Sequence, residues 1–235
     1  MVSARTFTVT NNCAFTIWPA IFTDPNVGSA TPDYATGWEA APQTTVSFSV
    51  PNTWQAGRIW ARRDCDFSDT NPATQCADGG CAGGLECTGA GSGPVTVAEF
   101  SLGVDEVDYV DVSLVDGFNL PIAVNNDKGC PEPSCPVDLN ANCPAALAGP
   151  LDSTGNVVGC KSACEVDPNP GNSQNCCTGS YNTAATCPAS RVQYYSYFKS
   201  NCPNALAFAY DESPSLLVCS ASQAANYQVT FCPAN

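Results

Sequence analysis

The middle of this sequence is rich in acidic residues. Glu99 is followed by five acids within twelve positions: Asp105, Glu106, Asp108, Asp111 and Asp116. Two carboxyls with separated pKa values are sufficient to hydrolyse a glycosidic bond, one as general acid and the other as base or nucleophile. A run of acids is equally typical of a solvated strand edge that deters pairing. The pattern alone therefore leaves a catalytic cleft and a solvated edge both open.

Alternating polarity predicts the strands that carry these acids. Residues 95–102 alternate as a half-buried strand does, with Glu99 on the less apolar face. Residues 109–115 alternate again, which places Asp111 opposite the apolar face. Asp116 stands at a predicted turn with Gly117. Strict alternation would put Asp116 on the other face from Asp111, but a bulge or a strand end can re-aim it, so both arrangements stay open.

Composition excludes several classes of function. The chain has no histidine, which excludes Ser-His-Asp and Cys-His catalysis and histidine-containing metal sites. A net charge of −14 with eight basic residues argues against nucleic acid and against anionic membrane surfaces. No segment approaches a transmembrane length of apolar residues. We expect a monomer without cofactor that acts on a neutral partner.

The sixteen cysteines indicate an oxidising compartment and a disulfide framework. No pair has the C-x2-C spacing of a zinc site, so we expect no bound metal. The sequence starts without the pattern of a signal peptide, and we interpret it as the mature form of a secreted protein. Residues 65–93 and 130–202 are rich in cysteine and poor in large apolar residues, which predicts two regions held by disulfides rather than by a deep core.

Other segments give conventional secondary-structure predictions. Residues 5–22 alternate and are interrupted by Asn11-Asn12, which predicts a hairpin. Further strands are predicted at 44–50 and 227–232. Asn142 before Cys143-Pro144 resembles a helix N-cap. Residues 190–199 predict a longer helix, although their aromatic residues also tolerate a strand.

Seven motifs are spread over nearly the whole chain. They are NNCAFTIWPA at 11–20, RIWARRDC at 58–65, VAEFSLG at 97–103, DYVDVSLVDGFNLP at 108–121, the cysteine doublet at 176–177, YYSYFKSNCPNA at 194–205 and YQVTFCP at 227–233. With these motifs the chain resembles the thaumatin-like proteins, pathogenesis-related family 5. The resemblance implies an all-β fold, a flattened antiparallel sandwich with two disulfide-rich lobes, the larger with short helices. It places the sandwich in residues 1–64, 95–136 and 203–235, the large lobe in 137–202 and the small lobe in 65–94.

The resemblance also implies a disulfide pairing in family order. The pairs are Cys13 with Cys232, Cys65 with Cys76, Cys81 with Cys87, Cys130 with Cys219, Cys135 with Cys202, Cys143 with Cys160, Cys164 with Cys176, and Cys177 with Cys187. The chain departs from the plant pattern in the spacing of Asp78 before Cys81 and in Asn204 after Cys-Pro. The loops at 24–37 and 151–159 also look longer than those of plant members, which suggests a fungal or other non-plant source.

The family's acidic cleft consists of one arginine and four acids. The motif matches place these at Arg58, Glu99, Asp111, Asp116 and Asp211. Glu212, next in sequence, is the alternative for the last of them. Arg58 is expected to pair with one or two of these acids; the alternative is a surface arginine beside Arg62 and Arg63.

Chemical roles follow from the expected surroundings of these acids. Glu99 is expected to be the general acid, because partial desolvation beside Phe100 raises a carboxyl pKa. Asp116, at a turn, is expected to stay ionised and to position water or attack C1. Asp111 and Asp211 are expected to bind sugar hydroxyls.

The implied function is binding and slow hydrolysis of β-1,3-glucan in fungal cell walls by a secreted protein. A glucan-binding or antifungal module without catalysis is a second interpretation. An inhibitor or partner of another secreted protein is a third.

Overall fold

The computed structural model describes residues 4–211 and 217–234, and ten strands and one α-helix form its regular elements. The strands are β1 (Ala4–Asn11), β2 (Trp18–Thr23), β3 (Thr44–Pro51), β4 (Gly57–Arg62), β5 (Val97–Val104), β6 (Val107–Ser113), β7 (Ile122–Asn126), β8 (Ser134–Cys135), β9 (Leu217–Ser220) and β10 (Tyr227–Phe231). The helix is α1 (Tyr195–Asn201), and short 3-10 helices span Leu139–Asn142, Gly179–Tyr181, Ala189–Arg191 and Ala221–Gln223. No helix in the described part of the chain is long and apolar enough to cross a membrane.

The strands form two five-stranded sheets. One has the order β3-β1-β10-β7-β8 and the other β2-β4-β5-β6-β9. All neighbours are antiparallel except β1 and β10, which run parallel. The predicted all-β sandwich is therefore confirmed. All strands of the described chain fall in residues 4–62, 97–135 and 217–231, and the division into a sandwich and two lobes stays a proposal.

Aromatic side chains join the two sheets. In β1, alternation turns Phe7 inward, and its ring centroid lies 4.9 Å from that of Phe100 on β5. Trp54 stacks on Phe100 at 5.6 Å, and Tyr227 of β10 lies 5.8 Å from the same ring. Each of these four side chains is at most 3% exposed. Burial of one such side chain contributes about 1.5–3 kcal/mol, and the cluster fixes how the sheets face each other.

The predicted hairpin over residues 5–22 is wrong. β1 pairs with β3 and β10 in one sheet, whereas β2 pairs with β4 in the other. Asn11 does not form a turn apex; it is buried, and its amide donates to the carbonyls of Phe15 and Ala40. These bonds hold the segment along which the chain crosses from one sheet to the other.

The helix predicted to begin at Asn142 is also absent. Asn142 ends the 3-10 helix that starts at Leu139, and Asp138 caps it by accepting from the Asn140 N–H at 3.0 Å. Cys143 is extended, with φ −57° and ψ 131°, as expected of a residue before proline. Only a single turn follows Pro144.

The second predicted helix is shorter than residues 190–199 and lies later in the chain. A 3-10 helix spans Ala189–Arg191, and α1 begins at Tyr195 after Tyr194 adopts a left-handed conformation with φ 59°. A helix cannot continue through that conformation, which separates the two pieces. Phe198 is the buried residue of α1.

Eight disulfides use all sixteen cysteines, and the pairs are those that the resemblance implies. Cys13–Cys232 spans a sequence separation of 219, whereas Cys65–Cys76 and Cys81–Cys87 span 11 and 6. Each bridge contributes about 2–4 kcal/mol, mainly by restricting the unfolded chain.

Thiol titration of the denatured, unreduced protein is expected to find essentially no free thiol, because every cysteine is paired. The same titration after reduction is the positive control and should recover all sixteen. Two or more free thiols per unreduced chain would contradict the pairing.

Candidate active site

The pairing register of the second sheet places four residues in a straight row across its strands, and three of them are ionisable. Phe22 of β2 faces Arg58 of β4, Arg58 faces Glu99 of β5, and Glu99 faces Asp111 of β6. Directly paired residues project from the same face of a sheet, and neighbouring strands are roughly 4.8 Å apart. We call these four residues the central row. Residues far apart in sequence thereby become adjacent.

Arg58 joins two acids of the site. Its Nε lies 2.9 Å from Glu99 Oε1, and its Nη1 lies 3.2 Å from Asp116 Oδ2. Asp116 reaches this position because β6 ends at Ser113 and a turn follows, closed by the Gly117 N–H donating to the Leu114 carbonyl at 3.0 Å. This turn, directly after the end of β6, therefore directs the Asp116 side chain toward Arg58. Since these side chains are partly exposed, the ion pairs order the acids more than they stabilise the fold.

Burial changes the protonation of the central row. It raises the pKa of Glu99, an effect that the Arg58 charge opposes and the Asp116 charge reinforces. For Asp111, burial and the Glu99 charge raise the pKa to about 8, against the influence of Arg58. This environment favours the protonated form of Asp111. Its Oδ1 is buried and has no hydrogen-bond partner among the described residues.

A cavity of about 470 Å³ opens over the row. Its walls include three residues of the described chain that sequence reasoning did not select: Phe22, Asp24 and Tyr109. The volume lies within the usual range for a site that binds a small ligand. Asp116 is not among the residues that line this cavity, and it adjoins the cavity through its contact with Arg58 Nη1.

Asp211 has a different set of contacts. Its carboxylate accepts from Lys199 Nζ at 2.9 Å, the Ala207 N–H at 2.8 Å and the Tyr195 hydroxyl at 3.2 Å. It is only 6% exposed, and none of its described contacts is with the central row or Asp116. The alternative residue, Glu212, lies outside the described residues.

Arg62 and Arg63 are not surface arginines. Arg62 is fully buried, and it donates to the carbonyls of Gly84 and Leu85, each at 2.8 Å. Burial lowers its pKa to about 10. Arg63 pairs with the buried Asp78, whose pKa burial raises to about 6. Both arginines thus join the end of β4 to residues 78–85.

Sequence reasoning missed one further acid beside the site, Glu165. Its carboxylate accepts from the Ser162 N–H at 2.7 Å and lies against Gly117, where a Cβ would come within 2.5 Å of Oε2. Burial raises its pKa to about 7, and the negative charge of Asp116 adds to this. The available signal was the Ser-x-x-Glu spacing of a capping box, since Ser162 Oγ also accepts from the Glu165 N–H.

The model of the Thaumatin family matches residues 11–233, and the chain belongs to that family of thaumatin-like defence proteins. It is 39% identical to pathogenesis-related thaumatin-like protein 3.5 of Cryptomeria japonica, over 99% of this chain and 91% of the relative. It is 39% identical to a glucan endo-1,3-beta-glucosidase of Prunus avium, over 98% and 91%. A solved thaumatin-like xylanase inhibitor aligns with a TM-score of 0.47 at 21% identity, over 97% of this chain and 99% of the inhibitor. The two sequence relatives are plant proteins, so a fungal source stays a prediction.

Proposed function

We propose that this protein binds β-1,3-glucan in the cavity over the central row and hydrolyses it slowly. The observation that carries the proposal is the Arg58 bridge, which holds Glu99 and Asp116 on one guanidinium group beside Asp111. Contact with one guanidinium group keeps the two carboxylates close to each other, as the carboxyl pair of a glycosidase must be. A relative named for endo-1,3-glucosidase activity supports the choice of linkage.

In the proposed reaction, Glu99 gives its proton to the glycosidic oxygen as the C1–O bond breaks. Burial favours the protonated form of Glu99 that this step needs. Asp116, 41% exposed, either takes a proton from the water that attacks C1 or attacks C1 itself. Attack by water gives inversion, whereas a covalent intermediate that water later cleaves gives retention.

The remaining acids have binding roles in this proposal. Protonated Asp111 donates to a sugar hydroxyl without adding a second negative charge beside Glu99. Asp211 contributes to the electrostatic field and not by contact, because its carboxylate is buried and already bound by Lys199 and Tyr195. The protein acts outside the cell, where its eight disulfides are stable.

Binding without catalysis is the alternative, and one contact favours it. Arg58 Nε lies 2.9 Å from Glu99, and a guanidinium this close favours the ionised carboxylate, which has no proton to give. Such a site would still bind neutral sugar as an antifungal module. Reducing-sugar release from a soluble β-1,3-glucan, measured beside pull-down on the insoluble polymer, separates the two functions. Binding without release would reject the enzyme, and neither binding nor release would reject both.

Replacing Arg58 with alanine is expected to weaken glucan binding and hydrolysis by about tenfold. The loss removes the group that orders Glu99 and Asp116 and leaves the two carboxylates facing each other. Isothermal titration with a soluble glucan measures the binding effect, and sugar release measures the catalytic effect.

Arg191→Ala is the matched control for this variant. Arg191 is exposed and belongs to the 3-10 helix Ala189–Arg191, away from the central row. Arg62 and Arg63 are unsuitable because their removal would disturb the small lobe. Equal losses in the Arg58 and Arg191 variants would remove Arg58 from the site.

A further inference from the structure

A second row of residues lies beside the central row, each two positions along the chain from a member of that row; Ser101 and Tyr109 belong to β5 and β6, whereas Asp24 directly follows β2 and Ala56 directly precedes β4. The Asp24 N–H donates to the Ala56 carbonyl at 3.2 Å, and the Ala56 N–H donates to Ser101 Oγ at 3.1 Å. Ser101 in turn faces Tyr109 across β5 and β6. We call these four residues the outer row. All of them line the cavity that covers the central row.

The position of Tyr109 sets it apart from the other tyrosines. Its hydroxyl has no hydrogen bond within the described chain, and its ring makes no ring contact with another described aromatic residue. The hydroxyls of Tyr34, Tyr181 and Tyr194 also lack a described partner, so a free hydroxyl alone does not mark a site. Tyr109 differs from these three because it lines the cavity over the central row, beside Asp111. Its hydroxyl and ring are therefore open to a ligand in that cavity.

A second unused polar atom lies close to it. Asp111 stands two residues after Tyr109 on β6, so both face the cavity at a spacing of roughly 6.8 Å. The buried Asp111 Oδ1 lacks a partner among the described residues, as the Tyr109 hydroxyl does. An aromatic face with two polar atoms beside it suits a pyranose, which has an apolar face and a rim of hydroxyls.

We propose that Tyr109 and Asp111 form a sugar-binding position next to the one at which the glucan would be cleaved. The inference rests on the proposed function and adds a direction to it. Asp116 marks one end of the site and Tyr109 the other, so the glucan chain runs from Asp116 over Glu99 toward the outer row. The glucose that occupies this position stacks on the Tyr109 ring and bonds the two free polar atoms.

The test measures affinity as a function of glucan length. Isothermal titration compares a disaccharide with a hexasaccharide of β-1,3-linked glucose on the parent, Tyr109→Ala and Tyr109→Phe. For the hexasaccharide, Tyr109→Ala is expected to weaken binding by about tenfold and Tyr109→Phe by about threefold. In Tyr109→Ala the affinity gained with chain length should also shrink, a change that a purely structural role would not produce.

Val218→Ala is the matched control. Val218 of β9 faces Tyr109 directly and is 47% exposed, but it does not line the cavity. It should bind both sugars as the parent does, and all variants should melt within a few degrees of the parent. If the parent binds but the Tyr109 variants match it at both lengths, the inference alone is wrong. If the parent binds neither sugar, the proposed function is wrong and the inference falls with it.

Discussion

Glu99→Gln and Asp116→Asn are each expected to lower glucan hydrolysis by about 10²–10⁴-fold, the usual contribution of a positioned acid or base. Each change keeps the size of the side chain and its ability to contact Arg58 through an oxygen. Glucan affinity should therefore stay within about threefold of the parent. Initial rates of reducing-sugar release and titration with the same soluble glucan measure the two effects.

Asp105→Asn provides the control for these two variants. Asp105 belongs to the same acidic run, but it is exposed in the turn between β5 and β6. Its φ of 50° is one that asparagine also adopts readily. Hydrolysis at the parent rate by both the Glu99 and the Asp116 variants would remove these residues from catalysis.

Arg5→Met is expected to cost about 3–5 kcal/mol of unfolding free energy, because it leaves the Asp108 carboxylate buried without its partner. Asp108 is fully buried and Arg5 is 3% exposed. The two terminal nitrogens of the guanidinium, Nη1 and Nη2, both contact the carboxylate, Nη2 at 3.0 Å, and the Tyr227 hydroxyl donates to it at 3.0 Å. Denaturant unfolding with the disulfides intact measures the loss, with Arg191→Met as the surface control.

A double variant identifies the cause of that loss. Arg5→Met with Asp108→Leu removes the stranded charge, and it should recover part of the stability, although Tyr227 then lacks an acceptor. A single Arg5→Met variant that lost less than about 1 kcal/mol would show that the buried pair contributes no more than an exposed one.

Alternating polarity predicted β1, β2, β3, β5, β6 and β10 but not β4, β7, β8 or β9, and it could not say which strands are neighbours. The pattern of β1 gave the buried face correctly, with Phe7 and Val9 inward. The hairpin failed because the choice of partner depends on contacts between distant segments, including the parallel pairing of β1 with β10. The failed helix at Asn142 had a local cause that the sequence did contain, since Pro144 restricts the residue before it.

For the site, sequence reasoning selected the acids but not their surroundings. Of the acids between 105 and 116, Asp108 forms a buried ion pair with Arg5, and Asp105 and Glu106 lie in an exposed turn. Alternation along residues 58–63 puts Arg62 on the same face as Arg58, but it carries no information on what covers that face. Here the carbonyls of Gly84 and Leu85 bind Arg62, whereas Arg58 stays partly exposed. Tyr109 likewise becomes a candidate only when it is seen to line the cavity.

The straight alignment of Phe22, Arg58, Glu99 and Asp111 means that the second sheet sets regular distances between these side chains. The interval between neighbouring groups is fixed by main-chain pairing at roughly 4.8 Å, and no single side-chain replacement alters it. The side chain at any one position of the central row can therefore be replaced while the other three keep their positions. A slip of one residue in any of the four strands would instead turn its group to the opposite face. This architecture therefore tolerates new chemistry far better than it tolerates insertions.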